Sequence, residues 1–238
     1  RGKIFIDYLR NAEGSTAVCI FVNDVADEAV VHRLAELGVR HLALRCAGFN
    51  NVDLVAAERA GIDVVRVPAY SPNAVAEHTI ALILALNRHI PRAYNRVRDG
   101  NFSLDGLVGF DLAGRTVGVV GTGRIGGLVA RLLWHFRCEV LAVDAVQDPR
   151  LVELGVRYVE LAELWARSDV ISLNCPLTAE THHLVDHRAI EQMKAGVMVI
   201  NTGRGGLLDT AAVVDALKRG HVGALGLDVY EEEAELFF

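Results

Sequence analysis

Three closely spaced glycines are the most informative chemical feature of the sequence. Gly121, Gly123 and Gly126 follow the apolar run 116–120 and precede an amphipathic stretch, so they occupy a predicted strand-to-helix turn. In such a turn the first glycine permits the tight bend, the second lets a pyrophosphate approach the backbone, and the third lets helix and strand pack closely. The free N–H groups that begin the helix would face the phosphates. Ordinary turns share this spacing, but the strand-and-helix setting favours a dinucleotide site.

An acidic residue stands where the adenosine of such a dinucleotide would need one. Asp144 closes the apolar run 140–143, roughly 20 positions after Gly126. At that strand end its carboxylate would accept hydrogen bonds from the ribose hydroxyls and would repel a 2′-phosphate. The pattern therefore favours NAD over NADP. The alternative interpretation is a solvated acid in a turn.

Polar and glycine-rich stretches follow three further predicted strands, at residues 174–178, 201–206 and 228–233. Ligands of open α/β sheets bind outside the carboxyl ends of the strands, so chemistry should collect there. Arg204 lies between glycines, and its guanidinium suits bidentate binding of a carboxylate. A surface arginine that pairs with a nearby acid is equally compatible with this spacing.

Metal and disulfide chemistry find little support. His182 and His183 are adjacent, but the sequence places no third ligand beside them, so we predict no metal site. The four cysteines lie in or beside apolar runs and form no C-x-x-C pair, which predicts buried, reduced thiols. They are Cys19, Cys46, Cys138 and Cys175.

Apolar runs of strand length alternate with amphipathic stretches of helix length along most of the chain. The predicted strands are continuously apolar, which is typical of parallel strands covered on both faces. They are residues 17–22, 41–45, 63–67, 116–120, 140–143, 169–173, 197–201 and 224–227. The predicted helices are residues 27–37, 52–60, 126–136, 161–167 and 210–219. Strand–helix–strand repetition predicts an α/β fold with parallel sheets.

Two stretches break this alternation and suggest a division into domains. Residues 73–99 form a long helical segment that should kink or restart at Pro91, and residues 100–114 are glycine-rich with little periodicity. These breaks predict a small α/β unit before about residue 72, a connecting helix and a larger α/β domain beyond it. A resemblance to a known family, described below, implies an atypical N-terminal segment, a partial substrate domain, a connecting helix and an NAD-binding domain. Their predicted bounds are residues 1–18, 19–72, 73–100 and 101–238.

Composition excludes several classes of protein. The chain has 238 residues, of which 52% are hydrophobic and 23% charged, so it is neither disordered nor fibrous. Its net charge of −6 argues against an electrostatic nucleic-acid binder. The longest apolar run, residues 80–86, is too short to cross a bilayer, and no signal peptide is visible. We expect a cytoplasmic protein without nucleic-acid or membrane partners.

Residues 18–238 resemble the D-isomer-specific 2-hydroxyacid dehydrogenases, most closely the D-lactate dehydrogenase branch. Six stretches carry the resemblance, and together, in this order, they are highly specific. They are residues 45–53, 67–78, 121–126, 175–178, 201–206 and 228–233. The resemblance implies an α/β fold with a Rossmann-like doubly wound parallel sheet and an incomplete, smaller, flavodoxin-like α/β substrate domain. It also implies hydride transfer between NADH and pyruvate or a similar 2-keto acid. It further implies a homodimer whose interface is formed by the connecting helix.

The resemblance implies roles for individual residues. Arg204 would bind the substrate carboxylate and polarise the keto group, and Glu233 would raise the pKa of a catalytic histidine. Ala47, Gly48 and Tyr70 would bind substrate, and Asp228 would hold the nicotinamide carboxamide. The implied cofactor contacts are Gly121, Gly123, Arg124, Ile125, Gly126, Asp144, Cys175, Pro176, Thr178, Thr202, Gly203 and Asp228.

The sequence also departs from the family pattern. The family's catalytic histidine belongs to a segment beyond Glu233, so we expect a chain truncated at both ends and impaired in turnover. Residues 3–18 instead resemble a short motif of the polymerase domain of bacterial end-joining DNA ligases. Arg137 replaces a glycine that would cap a helix, at a cost of about 1 kcal/mol. Two alternatives stay open, namely an NAD-sensing binding module without turnover and a non-functional remnant.

Overall fold

The computed structural model of the chain describes residues 12–21, 24–69 and 71–231. Contacts within the chain separate it after residue 70 into two compact units. Most of the N-terminal stretch with the ligase-like motif, including residues 1–11, lies outside the described residues. The four predicted domain bounds stay a prediction.

The first unit is a three-stranded parallel sheet with two helices. Its elements are β1 (Ala17–Ile20), α1 (Glu28–Glu36), β2 (His41–Leu44), α2 (Leu54–Ala60) and β3 (Asp63–Arg66). The strands lie in the order β1-β2-β3. Each helix begins at an aspartate whose side chain accepts a backbone hydrogen bond, Asp27 from Val30 and Asp53 from Ala56. Buried aliphatic side chains such as Leu34 and Leu42 fill the space between sheet and helices.

The second unit is a six-stranded, fully parallel sheet covered by helices. Its first elements are α3 (Pro72–Asn87), α4 (Ile90–Arg98), β4 (Thr116–Val120), α5 (Gly126–His135), β5 (Glu139–Val143), α6 (Pro149–Leu154) and β6 (Arg157–Tyr158). Then follow α7 (Leu161–Arg167), β7 (Val170–Leu173), α8 (His187–Gln192), β8 (Val197–Asn201), a 3₁₀ turn (Gly205–Leu207), α9 (Thr210–Lys218) and β9 (Val222–Leu227).

The strand order in this sheet is β6-β5-β4-β7-β8-β9. The chain winds outward from β4 to one edge and then returns to the other side of β4, so the order reverses between β4 and β7. Ligands of such doubly wound sheets bind at this reversal, outside the carboxyl ends of the strands. The predicted α/β class with a Rossmann-like parallel sheet is confirmed.

Two buried apolar clusters hold this sheet in place, one on each face. Side chains of α3 and α5, among them Ile83 and Leu133, pack in the first cluster. The second cluster holds side chains of α7, α8 and α9, among them Leu164, Ile190 and Val213. Coverage on both faces explains why the strands are continuously apolar rather than alternating.

The predicted elements end within about two residues of the observed ones. The predicted restart near Pro91 is confirmed, because α3 ends at Asn87 and α4 begins at Ile90. The sequence did not predict β6, α6 or α8, whose lengths of two to six residues are too short for a periodic pattern. Among the described residues, no helix is long and apolar enough to cross a membrane.

Candidate functional site

The three glycines of the turn between β4 and α5 differ in their steric surroundings. Gly121 has a φ of 87°, and a Cβ there would lie 2.5 Å from the backbone nitrogen of Cys175. A Cβ at Gly126 would lie 1.8 Å from the carbonyl oxygen of Gly121. A Cβ at Gly123 would meet nothing within 4 Å. The first and third glycines are therefore required by the protein's own packing, whereas the space at Gly123 is open to a ligand.

The helix that follows suits the binding of an anion. The N-cap residue of α5, Ile125, makes no side-chain hydrogen bond to the start of the helix, which begins at Gly126. Its first turn closes through a hydrogen bond of 2.9 Å from the Gly127 nitrogen to the Gly123 oxygen. The two residues before the helix differ in exposure, since Arg124 is exposed and Ile125 is half-buried against the core. Backbone N–H groups and the positive end of the helix dipole favour phosphate at such a position.

Asp144 lies beside this turn, at the end of β5. Its Oδ2 accepts hydrogen bonds from the backbone nitrogen and the hydroxyl of Thr122, and its Oδ1 accepts one of 3.1 Å from the Val146 nitrogen. Partial burial raises the pKa of Asp144, but these hydrogen bonds outweigh burial and hold the pKa below its ordinary value. The carboxylate is therefore ionised at neutral pH and placed where the sequence predicted it.

The loop after β7 supplies the opposite wall of the turn. The backbone of Cys175 contacts Gly121, and burial raises the pKa of the Cys175 thiol to about 11, so it stays protonated. The loop is tied together by Thr181, whose hydroxyl accepts from the Thr178 nitrogen at 2.7 Å and donates to the Pro176 oxygen at 2.7 Å. Cys175 therefore lies beside the glycine-rich turn, and the cofactor contacts of Cys175, Pro176 and Thr178 stay a prediction.

Asn174 is a site residue that the sequence analysis did not single out. It ends β7 next to Gly126, and its amide nitrogen donates to the Ser172 hydroxyl at 2.9 Å. Its Oδ1 is buried without a hydrogen-bond partner among the described residues. A buried acceptor without a donor is costly, and a ligand that donates a hydrogen bond there would relieve the cost. This orphaned acceptor and the open space at Gly123 both fit a bound dinucleotide.

The loop after β8 is rigid because Asn201 binds it internally. The buried Asn201 side chain accepts from the Gly203 nitrogen at 3.0 Å and donates to the Arg204 oxygen at 2.8 Å. The Thr202 hydroxyl lies 2.9 Å from the hydroxyl of Thr79 on α3. These bonds fix the backbone from which the Arg204 side chain projects.

Arg204 itself is exposed and available. Its guanidinium donates to the carbonyl oxygen of Gly203 at 2.8 Å, and no ion pair between described residues involves it. The interpretation of Arg204 as a surface arginine paired with a nearby acid therefore has no support in the described part of the chain. An exposed guanidinium on a rigid loop can bind a carboxylate bidentately.

The segment after β9 packs against the Arg204 loop. The Asp228 nitrogen donates to the Asn201 oxygen at 3.0 Å, and the Asp228 carboxylate lies 3.5 Å from Nε2 of His78 on α3. A Cβ at Gly205 would lie 2.0 Å from the backbone of Tyr230. The sequence did not predict the contact between His78 and Asp228. Arg204 and Asp228 thus border one surface at the ends of β8 and β9.

Glu231 meets the two adjacent histidines that the sequence analysis left without a third ligand. It pairs with His183 and accepts a hydrogen bond of 3.1 Å from the Thr210 nitrogen. Partial burial raises the pKa of Glu231, but the hydrogen bonds from Thr210 and His183 outweigh burial, so the pKa is lowered overall.

The potential ligand atoms of His182, His183 and Glu231 lie within 4.8 Å of one another. The two imidazole rings stack with centroids 3.9 Å apart and planes 27° from parallel, so their lone pairs do not converge on one point. As arranged, His183 and Glu231 form a hydrogen-bonded pair that links two loops rather than a preformed metal site.

The remaining predicted site residues lie in the first unit or outside the described residues. Ala47 and Gly48 form the loop after β2, where the Ala47 oxygen accepts from the Arg66 guanidinium at 2.6 Å. Tyr70 and Glu233 lie outside the described residues. All four cysteines are free, but the prediction that they are buried holds fully only for Cys138 and is wrong for the exposed Cys19. Cys46 and Cys175 are partly buried.

Comparison with known proteins gives consistent matches along the chain. Residues 80–236 match the domain family described as "D-isomer specific 2-hydroxyacid dehydrogenase, NAD binding domain". The chain is 57% identical over 240 residues to a 2-hydroxyacid dehydrogenase homolog of Haemophilus influenzae, covering 98% of this chain and 72% of that protein. It is 54% identical over 240 residues to the D-lactate dehydrogenase of Escherichia coli, covering 98% of this chain and 73% of that protein.

Solved structures give the same result. The apo structure of D-lactate dehydrogenase from Escherichia coli matches with a TM-score of 0.87 and 53% identity, over 96% of this chain and 72% of that one. The D-lactate dehydrogenase of Aquifex aeolicus complexed with NAD and lactic acid matches with a TM-score of 0.91 and 41% identity, over 96% of this chain and 68% of that one.

Proposed function

The chain belongs to the D-isomer specific 2-hydroxyacid dehydrogenase family, an NAD-dependent family of oxidoreductases, and we propose that it reduces a small 2-keto acid of the pyruvate type. When bound, the cofactor would supply hydride to the C2 carbon of the substrate in its reduced form, NADH, and would accept hydride from C2 in its oxidised form, NAD⁺. One observation carries the proposal: Arg204 forms no ion pair with an acid among the described residues, and it projects from a loop held by Asn201 beside Asp228, at the carboxyl edge that also holds the glycine-rich turn.

We assign different residues of the chain to three parts of the cofactor, namely the diphosphate, the adenosine ribose and the nicotinamide. We assign the diphosphate to the amides at Gly123 and the start of α5, and the adenosine ribose to Asp144. Arg124, Ile125, Cys175, Pro176, Thr178, Thr202 and Gly203 complete the proposed cofactor contacts. Asp228 accepts hydrogen bonds from the nicotinamide carboxamide in this proposal, which suits a carboxylate with an exposed side chain. The open space at Gly123 and a helix start that its own N-cap side chain does not occupy support this placement.

Arg204 performs the substrate chemistry in this proposal. Its guanidinium binds the substrate carboxylate and draws electron density from the keto oxygen, which makes C2 a better hydride acceptor. We assign Ala47, Gly48 and Tyr70 to substrate binding, and Glu233 to the support of a catalytic histidine, on the family resemblance. We assign no proton donor among the described residues.

We also propose a homodimer and a cytoplasmic location. Exposed apolar side chains on α4 and in the loop that follows it support an interface there, because soluble monomers rarely expose such a patch. They are Ile90, Val97, Phe102, Leu104 and Val108. The four free thiols are compatible with a reducing compartment.

The substrate assignment is tested by Arg204→Gln. In the NADH complex, we expect this change to weaken binding of oxamate, a pyruvate analogue, by roughly 30-fold or more, because a charged hydrogen-bond donor is lost. NADH affinity should stay unchanged. Calorimetric titration measures both constants. Arg219→Gln, which removes an exposed arginine paired with Asp215 on α9, is the matched control and should alter neither.

The same titration separates the proposal from its alternative. Oxamate affinity that is equal in the Arg204 variant and the unaltered chain would contradict the role of Arg204. Binding of NADH without any binding of oxamate by the unaltered chain would instead support an NAD-sensing module that does not turn over substrate.

A further inference from the structure

Tyr158 connects the edge strand β6 with the glycine-rich turn and with the start of α6. It lies half-buried on the edge strand β6, which pairs with β5 through Ala142. Its hydroxyl lies 2.8 Å from the hydroxyl of Thr122 in the glycine-rich turn and accepts a hydrogen bond of 3.0 Å from the Asp148 nitrogen. Asp148 begins α6, and the Asp144 carboxylate lies at the other side of Thr122.

The direction of each hydrogen bond in this group follows from the number of hydrogens. An ionised carboxylate only accepts, so the single hydroxyl hydrogen of Thr122 is donated to Asp144. The Thr122 oxygen must then accept from Tyr158, and the Tyr158 oxygen accepts from the Asp148 nitrogen. Each hydroxyl is thus donor to one partner and acceptor from another, and such chains strengthen each bond in them.

This chain of hydrogen bonds fixes which oxygen of Asp144 can meet a ligand. Thr122 gives two hydrogen bonds to Oδ2 and thereby occupies that oxygen. Oδ1 accepts one from Val146 and keeps capacity for a further donor. A ribose hydroxyl that approaches the carboxylate therefore meets Oδ1 in a fixed orientation.

We propose that Tyr158 is a positioning residue for cofactor selectivity. It acts through Thr122 to hold the Asp144 carboxylate in the orientation that accepts a ribose hydroxyl at Oδ1 and repels a 2′-phosphate. Tyr158 also binds the Asp148 nitrogen, so it holds the far end of the loop that starts at Asp144. The inference rests on the proposed role of Asp144 in ribose binding.

The test compares NADH and NADPH binding in Tyr158→Phe, which removes only the hydroxyl. We expect the dissociation constant for NADH to rise roughly three- to tenfold, the value of one lost hydrogen bond, while that for NADPH does not rise. The ratio of the dissociation constant for NADPH to that for NADH, which measures the preference for NADH, should therefore fall. Fluorescence titration measures both. A merely structural role would weaken both cofactors equally and leave the ratio unchanged, which would overturn the inference.

Thr122→Val provides a second route to the same result, because it breaks the connection while keeping the side-chain shape. We expect it to lower the ratio as well, and we expect Tyr158→Phe to add little in the Thr122→Val background. Full additivity of the two changes would overturn the inference. Tyr94→Phe, on the exposed helix α4, is the matched control and should change neither constant.

Asp144→Asn separates failure of the inference from failure of the site. If this change removes the preference for NADH and Tyr158→Phe does not reduce it, Asp144 binds ribose without help from Tyr158 and only the inference fails. If Asp144→Asn leaves the preference unchanged, the proposed ribose site is wrong, and the inference fails with it.

Discussion

Arg137 has a left-handed backbone conformation, with a φ of 63°, immediately after α5. An L-residue with a Cβ is strained there, and glycine is the residue that helices favour at this position. Its backbone still makes the expected capping bond, from the Arg137 nitrogen to the Trp134 oxygen at 2.8 Å. Arg137, which replaces a glycine of the family pattern, therefore has a backbone conformation that favours glycine.

Arg137→Gly should stabilise the chain. Relief of the left-handed strain is partly offset by the greater entropy of glycine in the unfolded state, so we expect a gain of about 0.5–1 kcal/mol in the free energy of unfolding. Urea denaturation measures it. Arg115→Gly removes an arginine whose φ is not positive and should destabilise or have no effect. A loss of stability in Arg137→Gly would contradict the strain argument.

At the scale of single residues, the sequence predicted the glycine-rich turn well because Gly121 and Gly126 each answer a local steric demand. It did not predict the orphaned oxygen of Asn174 or the contact between His78 and Asp228. Both depend on where distant side chains meet, which spacing along the chain does not reveal. The sequence did not predict the contact of Tyr158 for the same reason, since its partner Thr122 lies 36 positions earlier.

Two loops at the ends of β8 and β9 touch through Gly205. A Cβ there would lie 2.0 Å from the Tyr230 carbonyl group and 2.3 Å from the Glu231 nitrogen, and backbone atoms cannot yield as a flexible side chain does. Neighbouring Gly206 differs, because the nearest atoms that a Cβ there would meet belong to side chains, Leu177 at 3.2 Å and His182 at 3.6 Å. The close approach of the two loops therefore requires glycine at position 205, whereas at position 206 flexible side chains can move to make room for a methyl group.

We therefore expect Gly205→Ala to lower the free energy of unfolding by roughly 1–3 kcal/mol, as overpacking does. It should also weaken oxamate binding, because the Arg204 loop must shift. Gly206→Ala is the matched control and should cost about 1 kcal/mol or less. Thermal unfolding and calorimetry give both quantities. Equal stability of the two variants would show that the loops do not need this close approach.

At the scale of elements, continuous apolar runs predicted the central strands β4, β7 and β8 of the second unit, because burial on both faces requires such runs. The short elements β6, α6 and α8 carry no such pattern. β6 nevertheless places Tyr158, so an element of two residues matters to the proposed ribose site. Length, rather than importance for function, decided which elements the sequence could predict.

The sheet of the second unit brings together residues that are far apart in sequence. The hydroxyls of Thr79 and Thr202 meet at 2.9 Å although 123 positions separate them. Parallel strands with helical crossovers place all their carboxyl ends at one edge, which is why the sequence could assign the site to that edge. The doubly wound arrangement of the sheet was implied by the family resemblance, and the order of its strands was not predicted.

The proposed dimer is a property of the whole molecule. Replacing Ile90 and Val97 together by serine removes two exposed apolar side chains from α4 and should shift the protein from twice the chain mass of 25.8 kDa toward the monomer. Sedimentation equilibrium measures this. Val152→Ser, on the exposed side of α6, is the control and should leave the mass unchanged. A monomeric unaltered chain would contradict the proposed dimer.

The central claim is that the turn between β4 and α5 binds the diphosphate of NAD, and calorimetric titration with NADH tests it most directly. Gly123→Ala adds one methyl group where the protein has no neighbouring atom, so the melting temperature should stay unchanged. NADH affinity should fall about tenfold or more, because the methyl occupies the approach of the pyrophosphate. Equal NADH affinity in the variant and the unaltered chain, or no binding by the folded unaltered chain, would contradict the claim.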